Sequence, residues 1–164
     1  MILVKILRAI SDVLMKIMRW FGIISIFVMI IAIVYQIISR FAGISATWTE
    51  ELARFLMIWV CFLASAYIYN DPSLGAHVRI DALTSHFSPK MMKVVEAASH
   101  VVIMIVAFLA MLWGGELAGS SSHLSPALRI PYSVVYASLP TGMGLVVFFG
   151  ICKFVEKIFV REKT

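Results

Sequence analysis

The sequence predicts an all-α integral membrane protein with four transmembrane helices, an N-terminal amphipathic interfacial helix and a short helix in the inner loop. Three observations predict it. Of 164 residues, 62% are apolar and 14% charged, against about 45–50% and about 25% in soluble domains. Uncharged stretches long enough to cross a hydrocarbon core, which takes roughly 20 helical residues, recur along the chain. The lysines and arginines fall mostly on one side of the resulting topology. The same arithmetic excludes a soluble enzyme and a disordered tail, and two cysteines exclude a disulfide framework.

Residues 1–19 carry Lys5, Arg8, Asp12, Lys16 and Arg19 at spacings of 3, 4, 4 and 3. That makes one polar stripe on a helix otherwise built from Ile, Leu, Val and Met, a pattern expected to lie along the inner headgroups. The uncharged run after it exceeds the apolar region of about 7–15 residues in a cleavable signal peptide. It reads as an uncleaved first span over 20–39. The second span, about 50–69, has only 15 uncharged residues, Phe55 to Tyr69, and must take Arg54 into its outer turn. Ser88 and Pro89 form a helix start, so the third span runs over 89–115. The fourth occupies 131–152, with a kink expected at Pro140 and small residues, Gly142 and Gly144, that let a neighbouring helix come close. These spans make a membrane domain over 20–154, followed by a tail over 155–164. In the inner loop, Ile80, Leu83 and Phe87 recur at helical spacing with His77 and Asp81 on another face, which predicts a short amphipathic helix. The outer loop, Glu116 to Ile130, is flexible and polar by composition.

With the N-terminus cytoplasmic, eleven Lys and Arg residues lie on the inner side and three, Arg40, Arg54 and Arg129, on the outer. Positive residues favour the cytoplasm, so both termini and the 155–164 tail are expected there. The net charge of +5 is then a topology signal, and no nucleic-acid partner is implied.

Candidate chemistry is sparse. The histidines stand at 77, 86, 100 and 123, and only His100 lies within a span, so no paired axial ligands for haem exist and no cofactor or metal is expected. Cys61 and Cys152 read as small apolar packers. Mid-depth polar groups are limited to Ser25, Tyr35, Gln36, Ser65, Ser99, His100, Ser133, Ser138 and Thr141. Neither a carboxylate nor a cation joins them, whereas a transporter acting alone needs such groups at the midplane. An accessory or scaffold role follows. The alternative from another class is a small four-helix membrane anchor of a redox enzyme. One ionic cluster remains: Arg54, with Glu50 four residues and Glu51 three residues before it on one helical face. It either snorkels to the headgroups as a weak exposed pair or docks against a second membrane protein.

The run TWTEELARFLMIW from Thr47 to Trp59, then GAHVRIDAL from Gly75, then SPALRIP and LPTG around the last span, resembles the DctQ family, the small integral membrane subunits of tripartite ATP-independent periplasmic (TRAP) transporters. The likeness extends from about Trp20 to Phe154. It implies a scaffold subunit of the bacterial inner membrane that binds neither solute nor sodium. Its implied partners are a large multi-span DctM-like subunit, which carries an organic acid such as a C4-dicarboxylate or sialic acid on a sodium gradient, and a DctP-like periplasmic binding protein. By that resemblance Trp48, Glu50, Glu51, Arg54, Trp59, His77 and Asp81 are candidate contacts to the large subunit. Ser121, His123 and Arg129, in the longest polar segment on the outer side, are candidate contacts to the binding protein. The chain departs from its relatives at Asn70, Asp71 and Pro72, which lengthen the inner loop, and it ends at Thr164 without a fused large subunit, so that partner is expected as a separate polypeptide.

Overall fold

The computed structural model describes residues 2–71 and 89–161. Helix α1 runs over Ile2–Phe41, α2 over Thr47–Asn70, α3 over Pro89–Ser120, α4 over Tyr132–Tyr136 and α5 over Ser138–Arg161. Four helical stretches, Val4–Phe41, Thr47–Asn70, Val94–Ser120 and Tyr132–Glu156, are long and apolar enough to cross a membrane. The chain is an all-α, multi-pass membrane protein.

The spans form two antiparallel hairpins laid side by side. α1 packs on α2, α3 packs on α5, and the hairpins meet along α2 and α5, which run parallel; α1 also reaches α5 lightly. Aromatic pairs fix the α1–α2 register: Tyr35 lies 5.7 Å from Trp48 and Phe21 6.3 Å from Trp59. One end of the bundle carries the 42–46 and 121–131 connections and is called the loop end here; the other, called the terminal end, carries the start of α1 and the end of α5. The core gathers Met18, Leu63, Ala66, Ala107, Val146 and Phe149, one or two from each long helix, with Ala66 and Phe149 fully enclosed.

The close meeting of α2 and α5 requires a residue without a side chain. A Cβ at Gly142 would sit 2.7 Å from both the Cβ and the carbonyl oxygen of Phe62. At the loop end, α1 stops at Gly43, whose φ of 70° supports a closing turn in which Ile44 N donates to Ser39 O at 2.9 Å and Gly43 N to Arg40 O at 3.2 Å. This satisfies carbonyls that the helix leaves unpaired.

Two expectations change, and the kink expected at Pro140 takes the form of a break. The interfacial helix over 1–19 is not a separate element, because α1 continues unbroken through Arg19 and Trp20 for about 60 Å at a rise of about 1.5 Å per residue. No proline interrupts it. Leu14, Met15, Met18 and Phe21 pack in or against the core, Asn70 Nδ2 donates to Ser11 Oγ at 3.1 Å, and Arg8 pairs with Glu156 at 2.5 Å. A helix lying flat along the headgroups would forfeit these contacts. The third helix extends five residues past 115, to Ser120, where the Ser120 and Ser121 hydroxyls donate to Leu117 O at 3.2 and 2.7 Å and close its end. The fourth span is interrupted at Ala137, between α4 and α5, one turn before Pro140, because proline cannot donate to Tyr136 O and its ring crowds the preceding turn. The second span matches its expected limits within three residues at either end. The expected inner-loop helix, with His77, Asp81 and His86, lies outside the described residues.

Gly142→Ala is expected to lower the thermal midpoint of the detergent-solubilised protein, since overpacking costs roughly 1–3 kcal/mol. Gly115→Ala is expected to hold or raise it, because nothing lies within 4 Å of a Cβ there and alanine favours the helix by up to about 1 kcal/mol. A thermal-shift series on the two variants checks both.

Candidate functional site

The ionic cluster of the second span divides. Glu50 and Glu51 are neighbours in sequence and therefore point about 100° apart around the helix. Glu50 accepts from Arg54 Nη2 at 3.0 Å, and both side chains are well exposed, at 60% and 58%. An exposed pair of this kind contributes little to stability.

Glu51 turns inward. Both its carboxylate oxygens accept from Ala127 N at 3.1 Å, and Oε2 also accepts from Leu128 N at 2.9 Å. This bond, across 76 residues of sequence, clasps the loop between α3 and α4 onto the first turn of α2. The loop is compact instead of slack: Ser125 N donates to Ile130 O at 2.9 Å, Tyr132 N to His123 O at 2.9 Å, and Arg129 N to Ser125 O at 3.2 Å. Leu124 and Pro131 form an antiparallel bridge, and Ser125 is buried beneath it. Phe55 meets Tyr132 edge-on at 5.8 Å and ties the loop's end to α2. Within this turn Arg129 adopts a φ of 55°, a left-handed conformation unfavourable for a residue with a side chain.

The remaining candidates separate in the same way. Trp48 stacks obliquely on Tyr35 but keeps 41% of its surface open. Trp59 is half-buried against Phe21 between α1 and α2, so its side chain serves the chain's own packing. His123 and Arg129 are exposed, whereas the Ser121 hydroxyl is bonded to Leu117 O. His77 and Asp81 lie outside the described residues.

A second polar belt, at the terminal end, escaped sequence reasoning. Lys153 Nζ donates to Tyr69 O and stands 4.8 Å from the centre of the Tyr69 ring. Tyr69 Oη lies 3.3 Å from His100 Nδ1, and Asn70 bonds Ser11. The belt joins α1, α2, α3 and α5. Its signal was present but faint: Lys153 is the first charge after 23 uncharged residues, and His100 is the one histidine inside a span.

Four hydroxyl groups along the spans are turned back onto carbonyls three or four residues earlier in the chain: Ser39 donates to Gln36 O, Ser65 to Cys61 O, Ser138 to Val135 O and Thr141 to Ala137 O, at 2.6 to 3.0 Å. Their hydrogens serve the backbone. Among the described residues, no three His, Cys, Asp or Glu side chains gather where they could hold a metal.

The sequence over residues 29–160 matches the family described as "Tripartite ATP-independent periplasmic transporters, DctQ component". The chain belongs to the DctQ family. It is also 30% identical, over 128 residues and 71% of its length, to a protein of Oleidesulfovibrio alaskensis named "Isethionate TRAP transporter permease protein DctMQ". The aligned segment is 19% of that relative, so the chain spans about a fifth of its length. In this DctQ protein the two most recognisable sequence segments, TWTEEL at the start of α2 and SPALRIP before α4, are in physical contact through Glu51.

Glu51→Ala is expected to open the loop: backbone amides of 125–130 should exchange with deuterium faster, while Glu50→Ala leaves their rates unchanged. Hydrogen-exchange mass spectrometry of the two variants distinguishes the clasp from the exposed pair.

Proposed function

We propose that this DctQ protein is the small, non-catalytic membrane subunit of a sodium-coupled, binding-protein-dependent TRAP importer of an organic acid. It acts as a scaffold for a large DctM-like subunit and meets a DctP-like binding protein in the periplasm. The observation that carries this reading beyond family membership is α2, which crosses without a break and whose Ser65 hydroxyl donates to Cys61 O of the same helix. Solute and ion sites in membrane transporters are built from broken helices and unspent polar groups. Here the break at Ala137 lies near the loop end, away from the midplane.

The proposed location is the bacterial inner membrane, with the loop end periplasmic and both termini cytoplasmic, supported by the eleven-to-three division of Lys and Arg. The exposed Trp48, Glu50 and Arg54 would contribute to the rim facing the large subunit. His123 and Arg129 would face the binding protein, held there by the Glu51 clasp, with Ser121 beside them. The relative named for both M and Q supports a DctM partner, and its isethionate, a small organic anion, is the first solute to try alongside C4-dicarboxylates and sialic acid.

Proteoliposomes provide the test. The chain alone should take up no labelled solute, and uptake should appear when the large subunit, the binding protein and an inward sodium gradient are supplied together. Arg54→Ala should reduce the yield of complex or the uptake rate severalfold, while the solute concentration for half-maximal uptake stays unchanged. Uptake by the chain alone, or an assembled Arg54→Ala complex with altered solute or sodium dependence, would overturn the scaffold reading. A reporter fused after Thr164 should be active only in its cytoplasmic form.

A further inference from the structure

The unbroken α1 helix has an exposed charged stripe at a depth where its neighbours carry none. The α1–α2 register is pinned at three levels, Tyr35 with Trp48, Phe21 with Trp59 and Ser11 with Asn70. From Trp48 to Asn70 is 22 residues, or about 33 Å at about 1.5 Å per residue, close to the hydrocarbon thickness of about 30 Å. α4 and α5 agree, since Pro131 to Cys152 is uncharged and Lys153 lies at the level of Tyr69. The slab bounded by these levels has little slack. Arg54, six residues after Trp48, already lies about 9 Å inside it at about 1.5 Å per residue, paired with Glu50, and shifting the slab toward the loop end to release α1 would sink that pair further.

Within that slab α1 presents Lys16 and Arg19. They lie five and eight residues beyond Ser11, about 8 and 12 Å inside the boundary at about 1.5 Å per residue. Both are exposed; at about 100° per residue Lys16 lies opposite the core residues Leu14 and Met18, whereas Arg19 lies on the flank of the helix, on the same side as Met15. Neither makes an ion pair among the described residues. Ile17 and Trp20 beside them are also exposed, at 59% and 63%. A charged side chain at such depth is costly in lipid and ordinarily faces protein or water. Arg19 lies deeper than an extended arginine side chain reaches.

We infer that the Lys16–Arg19 face of α1 is a docking surface for a second membrane protein that presents a carboxylate within its own transmembrane segment. This rests on the reading of the chain as one subunit of a two-part membrane assembly, and it adds to the loop-end rim a second ionic contact on the terminal-side half of the first helix. The neighbouring Trp20, which lies one turn after Lys16 on the same side of the helix and is 63% exposed, supplies apolar contact beside the ion pair. The occupant is a protein and not an anionic lipid because a headgroup phosphate lies at the membrane surface, whereas Arg19 is fixed well below it by the packing of Met15, Met18 and Phe21.

The test uses the full chain in its own membrane. A tag on the chain should recover a larger membrane protein; if none is recovered, the subunit reading itself falls and this inference with it. Given recovery, a photo-crosslinking residue at Ile17 or Trp20 should capture that protein. Arg19→Leu should reduce its recovery at least tenfold, because the partner's carboxylate loses its cation, and Arg19→Lys should retain most of it. The thermal midpoint of the solubilised Arg19→Leu chain, measured alone, should not fall, which separates lost docking from lost folding. Crosslinks at positions 17 and 20 that reach only lipid, or the chain's own 72–88 segment, would overturn the inference while leaving the subunit reading intact. So would undiminished recovery with Arg19→Leu, the result lipid exposure demands.

Discussion

Backbone meets backbone where Gly142 of α5 lies against Phe62 of α2, and the two halves of the protein are joined along that line. Helices in lipid gain nothing from burying apolar surface against one another, so association depends on close fit. At Gly142 the fit leaves no room for a side chain, since a Cβ would sit 2.7 Å from Phe62. α1 then rests on α2 and α3 on α5, and Phe149 is fully enclosed because α2 and α3 both lie close to the same helix. Crowding that line weakens the joint between the hairpins, which are also tied by Glu51 to the 127–128 amides, by Phe55 against Tyr132 and by Lys153 to Tyr69 O.

The ends of α2 are secured by side chains from elsewhere in the chain. At one end Lys153 donates to the carbonyl of Tyr69, adding a positive charge where the helix dipole is negative. At the other, the Glu51 carboxylate lies near the positive helix end and also satisfies two loop amides that would otherwise compete for scarce water at the membrane edge. These contacts hold α2 at a fixed height relative to α5. The loop between α3 and α4 inherits the same rigidity.

The spans were legible because an uncharged run of about twenty residues has few alternatives, and the Pro140 interruption because proline lacks a donor. The N-terminal segment was legible only in part. Its charged stripe was read correctly, but its apolar side contains both Met18, which enters the core, and Ile17, which stays exposed. Composition cannot separate a face that meets protein from one that meets lipid, since both are apolar. The Glu50–Glu51 pair presents a similar problem: identical residue types at adjacent positions receive opposite orientations, and the reason for Glu51 lies 76 residues away. The loop's serines and prolines suggested slack for the same reason. Its order comes from a distant carboxylate, and local propensity contains no trace of it. The terminal belt is assembled from four helices, so a one-dimensional reading found its members without their arrangement.

The Glu51 clasp also has a temporal consequence. α1 and α2 are neighbours in the chain and can pair as soon as both have left the ribosome. The loop that Glu51 holds is made much later, and Gly142 later still. During synthesis the first hairpin must therefore wait in the membrane with the Glu51 carboxylate unsatisfied and the groove at Phe62 unfilled. Because non-local contacts follow local ones, the clasp closes among the last events of biogenesis, and a chain interrupted before α4 would leave an unspent acid at the membrane edge for quality-control machinery to recognise.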